Sequence, residues 1–147
     1  MPNYFIDTSA LAKRYHKENG SDFVDRTLEE PGSRSLISHL SIVELESVFA
    51  IKVRTGEIDH AALDIARRRF RADMAQQRLG VALPVCESHF QSARHLLIQH
   101  GVSEGLRTLD SLQLAIALDL RQSGHIGVLV SPIKDCAALR CSPAAPQ

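Results

Sequence analysis

The stretch YFIDTSALAKRY, residues 4–15, decides the fold class because a short apolar run passes directly into an amphipathic helix. Residues 3–6 predict a strand and residues 9–18 predict a helix. Asp7 stands at the junction between them. Parallel α/β sheets collect their ligand sites beyond the carboxyl ends of the strands. A carboxylate at this junction is therefore a candidate functional group.

The rest of the chain repeats this alternation of strand and helix. Further strands are predicted at residues 35–38, 81–85 and 126–131, and Pro84 makes the strand at 81–85 short or an edge strand. Further helices are predicted at residues 21–30, 41–54, 59–79, 87–100 and 108–122, with a last one from about residue 134. Ser21, Ser41 and Thr108 are the expected caps of their helices, and Gly101 is expected to end the helix before it. Because no hairpin signal occurs, the pattern predicts an α/β domain with a parallel sheet.

Composition sets limits on the class of protein. The chain has 147 residues, 44% hydrophobic and 23% charged, which is typical of one globular domain. Its 17 basic and 17 acidic residues neither require nor exclude a polyanionic partner. No apolar run approaches the roughly 18 residues needed to span a bilayer, and no signal peptide is recognisable, so a cytoplasmic location is expected. The HExxH, GxxxxGK[ST] and GxGxxG motifs are absent, which argues against a zinc protease and two common kinds of nucleotide-binding site.

Three carboxylates are predicted to meet at one edge of the sheet. Asp7 ends the first strand, Glu44 lies early in the helix after the second strand, and Asp110 begins a strongly apolar helix. A carboxylate in the first turn of a helix is also explained by the helix dipole alone, so Asp110 has a purely structural alternative. Glu46 competes with Glu44, because two helical positions differ by roughly 200° and only one of them can face the site. Helical periodicity decides only weakly between them.

Three inward carboxylates repel one another, and a divalent cation would remove that repulsion. Oxygen ligands from Asp and Glu suit Mg²⁺ or Mn²⁺, which keep several waters and bind substrate phosphates. Lys13 and Arg14 follow Asp7 on the first helix and are candidates for guiding phosphates toward the site.

Three blocks of the sequence resemble the PIN domain, in its bacterial VapC-like toxin branch. They are FIDTSALAKRYHKE (residues 5–18), SHLSIVELES (38–47) and LRTLDSLQLAIALDLRQSG (106–124), and their order and spacing also agree with the family. The resemblance covers roughly residues 3–135 and implies a three-layer α/β/α sandwich around a parallel sheet. One such domain is expected over residues 1–140, and the sequence CSPAAPQ at 141–147 is expected to form a disordered tail. The resemblance also implies a ribonuclease whose acidic residues bind Mg²⁺ or Mn²⁺.

The family motifs match particular residues of this chain. Asp7, Glu44 and Asp110 match the acidic positions, which favours Glu44 over Glu46. Thr8 and Ser9 match hydroxyl residues at the rim of the site. VapC-like members usually form homodimers and are blocked by a small cognate antitoxin, so both partners are expected here, with RNA as the substrate.

The resemblance fails near the carboxyl end. A fourth acidic residue usually follows the last strand, but the ungapped alignment places Ile133 there, and Asp135 lies two residues later. Asp135 is a candidate substitute ligand; the alternative is a surface residue in a helical turn. The departure also motivates a second hypothesis, in which the chain is a catalytically impaired PIN-like module that binds RNA or an antitoxin.

Overall fold

A computed structural model describes residues 2–131 and places four parallel strands at their centre. The strands are β1 (Asn3–Ile6), β2 (Arg34–Ile37), β3 (Leu79–Val81) and β4 (Val128–Val130). Their order across the sheet is β3-β2-β1-β4, and each neighbouring pair is parallel. The register pairs Phe5 with Leu36 on one side and with Leu129 on the other. The predicted parallel α/β sheet is confirmed.

Six helices in the described part of the chain connect and flank these strands. They are α1 (Thr8–Tyr15), α2 (Ser21–Glu29), α3 (His39–Arg54), α4 (His60–Ala75), α5 (Glu87–Glu104) and α6 (Thr108–Gln122). None of the helices within residues 2–131 is both long and apolar enough to cross a membrane.

The alternation of side chains along β1 separates the two helical layers. Ile6 is completely buried among apolar residues of α1 to α4, including Leu11 and Leu45. Its neighbour Phe5 is also completely buried, but it packs with Ile116 and other residues of α6. Successive strand residues point to opposite faces, so both faces of the sheet are covered by helices. The structure confirms the predicted three-layer α/β/α sandwich.

Several predicted boundaries were wrong, among them the end of α4, which lies at Ala75 and not at residue 79, and two have identifiable reasons. The third strand runs over Leu79–Val81 rather than 81–85, and it lies at an edge of the described sheet. Pro84 has no N–H to give to a ladder, so pairing moves toward Gly80, which lies against Leu36. Helix α5 continues through Gly101 to Glu104, and Gly105, at φ 66°, takes the left-handed conformation that ends the helix.

The helix starts also differ from the prediction by a few residues. Helix α3 is capped by Ser38, whose hydroxyl accepts a hydrogen bond from the backbone N–H of Ser41. Gly20 and Arg107 occupy the cap positions of α2 and α6, so Ser21 and Thr108 are the first helical residues. Helix α1 ends at Tyr15 rather than residue 18. The helix predicted from residue 134 lies outside the described residues.

Candidate active site

The carboxyl ends of β1 and β4 bring Asp7 next to Ser131. The backbone N–H of Asp7 donates to the Val130 carbonyl at 3.1 Å, which continues the pairing of the two strands. Asp7 then caps helix α1, since its Oδ1 accepts from the Ala10 N–H at 2.9 Å. Its Oδ2 accepts a hydrogen bond from the Ser131 hydroxyl. These contacts fix a carboxylate that is only 4% exposed.

Glu44 reaches the same edge of the sheet from helix α3. Its side chain is half-buried, and its Oε1 accepts a hydrogen bond from Gln113 Nε2 at 2.8 Å. Gln113 lies on helix α6, one turn after Asp110. Two segments that are 69 residues apart in sequence are therefore joined at the site by a side-chain contact.

A buried polar network lies beneath the Glu44–Gln113 contact. Ser38 Oγ donates to Gln113 Oε1 at 2.9 Å. Gln113 Nε2 also lies 2.9 Å from Ser41 Oγ and 3.2 Å from Thr8 Oγ1. The Thr8 hydroxyl donates to Ser41 Oγ at 3.2 Å. The network connects α1, α3 and α6 directly below the candidate carboxylates.

Negative charges and burial together determine the electrostatics of the site. Burial raises the pKa of Asp7, and the nearby charge of Asp110 raises it further. Burial also raises the pKa of Glu44, with additional contributions from Asp110 and Asp7, whereas hydrogen bonds from Gln113 and Thr8 lower it. The charge of Asp110 therefore influences both Asp7 and Glu44, and the charge of Asp7 influences Glu44. None of the ion pairs formed among residues 2–131 includes any of them.

The carboxylate oxygens of Asp7, Glu44 and Asp110 are chemically suited to a hard divalent cation, but the three side chains do not form a complete set of ligands. Within residues 2–131, no group of three or more His, Cys, Asp and Glu side chains is arranged so that it could hold a metal ion. Mg²⁺ usually binds through one or two carboxylates and completes its coordination with water and phosphate oxygens. Carboxylates that repel one another and form no ion pair with a basic side chain in this part of the chain fit that mode of binding.

The sequence matches the family model of the PIN domain over residues 4–124. The chain belongs to the PIN domain family. Comparison with curated proteins gave no match.

Two solved structures share the fold of this PIN domain. VapC20 from Mycobacterium tuberculosis, described as a sarcin–ricin loop cleaving toxin, superposes with a TM-score of 0.63 at 18% identity, over 97% of this chain and 99% of that chain. VapBC2 from Rickettsia felis, bound to a DNA fragment from its promoter, superposes with a TM-score of 0.52 at 13% identity, over 86% and 96%. At these identities the likeness establishes the fold.

The other predicted site residues of the PIN domain fall into different environments. Thr8 is buried within the polar network, whereas Ser9 is exposed in the first turn of α1. Lys13 is half-buried, and its ammonium donates to the Asn19 carbonyl at 2.8 Å. Of these three residues, Ser9 and Lys13 therefore have side chains that retain access to solvent.

The environment of Arg14 in the structure contradicts the predicted role of this residue in guiding phosphates. Its side chain is only 7% exposed, and the guanidinium is bound by Asp73, Asp25 and Glu29. A cation that is buried and paired with three carboxylates is not available to an incoming phosphate. The sequence interpretation failed because helical spacing shows which residues follow Asp7 but not which distant carboxylates they meet.

Glu44 and Glu46 differ in the side chains that they contact. Glu46 accepts two hydrogen bonds from Arg67 Nε and one from Arg67 Nη2, the shortest at 2.7 Å, and it is exposed. Glu44 instead faces Gln113. Ile133 and Asp135 lie outside the described residues, so the departure from the family pattern at that point stays a prediction.

Sequence reasoning missed the residues that hold the carboxylates in place. These are Ser131, Gln113 and the serine pair Ser38 and Ser41. Gln113 carried a usable signal, because it is a polar residue within the apolar run of α6 and lies three positions after Asp110. A buried polar side chain needs hydrogen-bonding partners, and the spacing could have indicated where they lie.

Proposed function

We propose that this PIN domain is a metal-dependent endoribonuclease of the toxin type, which hydrolyses RNA phosphodiester bonds. The proposal is supported by the contact of Glu44 with Gln113, three positions after Asp110, and by the charge of Asp110, which raises the pKa of both Asp7 and Glu44. None of the three carboxylates forms an ion pair with a basic side chain within residues 2–131. The fold shared with VapC20, itself described as a toxin that cleaves the sarcin–ricin loop, supports the choice of RNA.

In the proposed reaction, Asp7, Glu44 and Asp110 would hold Mg²⁺ or Mn²⁺ together with water and phosphate oxygens. The ion would supply positive charge that stabilises the developing charge on the phosphate oxygens. Asp7 keeps a fixed position because the Ala10 N–H and the Ser131 hydroxyl hold its two oxygens. Glu44 is the candidate to accept a proton from the attacking water, because burial raises its pKa and its half-exposed side chain can be reached by water. Ser9 and Lys13 are proposed to contact the RNA.

The proposed partners are a small cognate antitoxin and a second copy of the chain. Helix α5 carries exposed apolar side chains that support a protein contact: Phe90, Ile98 and Val102 are 54%, 64% and 101% exposed. At 100° per residue they fall on one side of the helix. Light scattering on the purified protein tests the homodimer, and Ile98→Asp should shift its mass toward the monomer.

The nuclease proposal is tested with purified protein and a mixture of structured and single-stranded RNAs. Cleavage should require Mg²⁺ or Mn²⁺ and should stop when EDTA is added. Asp7→Asn, Glu44→Gln and Asp110→Asn should each lose cleavage and retain the circular dichroism spectrum of the parent. Glu46→Gln, a carboxylate replacement two residues from Glu44, is the matched control and should cleave normally. If Asp7→Asn cuts RNA as fast as the parent, the proposal is wrong.

The competing function is a binding module without catalytic activity. The lack of a closed three-ligand cluster among residues 2–131 favours it, as does Ile133 at the position of the expected fourth acid. The same experiment separates the two. RNA that is retained in a gel shift but yields no products with either ion would support the module.

A further inference from the structure

Gln113 is an unusual residue for its place in the fold. It is only 4% exposed and lies within the apolar run of helix α6, between Leu112 and Leu114, which are also buried. An amide buried among apolar side chains is costly unless its hydrogen bonds are made. The contacts of Gln113 therefore show what the position requires.

The orientation of the carboxamide follows from its partners. The Glu44 carboxylate can only accept hydrogen bonds when ionised, so the nitrogen of Gln113, and not the oxygen, faces it at 2.8 Å. The oxygen accepts from Ser38 Oγ at 2.9 Å. Ser38 is itself fixed at the start of helix α3, where its hydroxyl oxygen accepts from the Ser41 N–H at 3.3 Å. The oxygen of the Gln113 amide is therefore held by Ser38, the cap of helix α3, which is the same helix that carries Glu44.

We propose that Gln113 is a positioning residue of the candidate active site, whose carboxamide holds the Glu44 carboxylate in the orientation needed for metal binding. The inference rests on the proposed function, since metal binding at Glu44 is part of it. Gln113 would act only through Glu44, while Ser38, Ser41 and Thr8 hold the carboxamide in place. Groups that hydrogen-bond a metal-binding side chain typically change metal affinity by roughly 10- to 100-fold when they are removed.

A double-mutant cycle distinguishes positioning from a general structural role. Gln113→Met keeps the length of the side chain and removes its hydrogen bonds. We expect it to weaken Mn²⁺ binding, measured by calorimetry, by at least about tenfold. In the Glu44→Gln background the same change should have little further effect, because the carboxylate that Gln113 orients is already gone. Gln122→Met is the matched control, since it makes the same substitution at an exposed position of the same helix.

An equal loss of Mn²⁺ affinity in both backgrounds would overturn the inference, because it would mean that Gln113 acts through the fold and not through Glu44. If Gln113→Met does not fold, Gln113→Asn replaces it in the cycle. Its amide keeps a polar group for the buried hydroxyls of Ser38, Ser41 and Thr8 but is one methylene shorter and adds no charge, so the same loss and the same non-additivity are expected.

A measurement without metal keeps this inference separate from the nuclease proposal. In the amide NMR spectrum, the side-chain N–H₂ signals of Gln113, identified by their loss in Gln113→Met, should exchange slowly with water and should shift in Glu44→Gln. Unchanged signals in Glu44→Gln would refute the contact and with it the positioning role. If the parent protein binds no Mn²⁺ and cuts no RNA, the proposed function fails, and the NMR result still decides whether Gln113 orients Glu44.

Discussion

The two ends of helix α1 handle buried charge in opposite ways. At its start, Asp7 is buried, and burial together with the negative charge of Asp110 raises its pKa. At its end, Arg14 and Tyr15 meet the buried carboxylate of Asp73, whose pKa is lowered. The two clusters are separated by two turns of one helix. Among residues 2–131, the carboxylates of the first cluster form no ion pair with a basic side chain, whereas those of the second cluster are paired with Arg14 and Arg78.

The second cluster is a compact set of ion pairs between α1, α2 and the α4 region. Arg14 Nε lies 3.1 Å from Asp73 Oδ2, and Tyr15 donates to the same oxygen at 2.8 Å. Arg78 approaches Asp73 Oδ1 at 3.2 Å. Burial by itself would raise the pKa of Asp73, but the hydrogen bonds from Arg14 and Tyr15 more than offset it. Burial and the Asp73 charge in turn raise the pKa of Tyr15.

The contrast between the two ends of α1 indicates that the carboxylates at its start, and not those at its end, lower the stability of the folded state. Ionised carboxylates that are buried without basic partners destabilise the folded state, and such arrangements concentrate at functional sites. Buried carboxylates that form ion pairs with basic side chains instead connect the helices that carry them. Substitutions at the two ends of α1 should therefore have opposite effects on stability.

The largest expected effect is that of Asp73→Asn on stability. The substitution leaves the buried guanidinium of Arg14 without its main partner, and breaking such a pair costs roughly 3–5 kcal/mol. Because Arg14 keeps Asp25 and Glu29, we expect about 3 kcal/mol, measured by urea unfolding at pH 7. A loss below about 1 kcal/mol would show that the cluster contributes little net stability. Cleavage per folded molecule should be unchanged.

Asp7→Asn should do the reverse, with a loss of activity and a gain of stability. Asn caps helices as well as Asp does, so the contact to the Ala10 N–H can be kept. Removing a buried charge near Asp110 should raise the free energy of unfolding by about 1 kcal/mol. RNA cleavage should fall by at least roughly 100-fold, since a carboxylate proposed to bind the metal is lost. A variant that is both inactive and strongly destabilised would contradict the contrast.

The pH dependence of these two variants sharpens the comparison. The folded-state pKa of Asp7 is raised above 3.8, so its ionisation destabilises the fold at neutral pH, and this penalty disappears as the pH falls through the folded pKa toward 3.8. The folded-state pKa of Asp73 is lowered below 3.8, so its stabilising effect is complete above 3.8 and disappears only as the pH falls below that value. The stability gain of Asp7→Asn should therefore vanish at a higher pH than the stability loss of Asp73→Asn. Urea unfolding from pH 7 to pH 3 measures both, and the opposite order would be incompatible with these shifts.

The sequence predicted the order of the elements within the described residues and the elements on which the three candidate carboxylates lie, because both depend on local patterns. The strand at residues 3–6 was correct to the residue, and the helix at 108–122 has the predicted span, although Arg107 and not Thr108 is its cap. Alternating strands and helices also predicted the parallel sheet. Asp7 was identified because the end of a strand is a position that can be recognised from sequence alone.

The partners of these groups could not be predicted, because they come from segments far apart in the chain. Arg14 and Asp73 are separated by 59 positions, and Gln113 and Glu44 by 69. Helical periodicity gives the direction of a side chain relative to its own helix but not what lies in that direction. Arg14 was therefore assigned to phosphate and Gln113 was overlooked.

The smallest expected effect is that of Glu46→Gln, which separates the two carboxylates that periodicity left open. The Glu46–Arg67 pair is exposed, and such pairs contribute little because water already solvates both charges. The urea midpoint should therefore stay within experimental error, and cleavage and Mn²⁺ affinity should match those of the parent. Glu44→Gln should keep the midpoint or raise it, because a repelled carboxylate is neutralised, yet it should lose cleavage. If Glu46→Gln were the inactive variant and Glu44→Gln the active one, the side of α3 that faces the site would have been misidentified, and the network around Gln113 would be structural only.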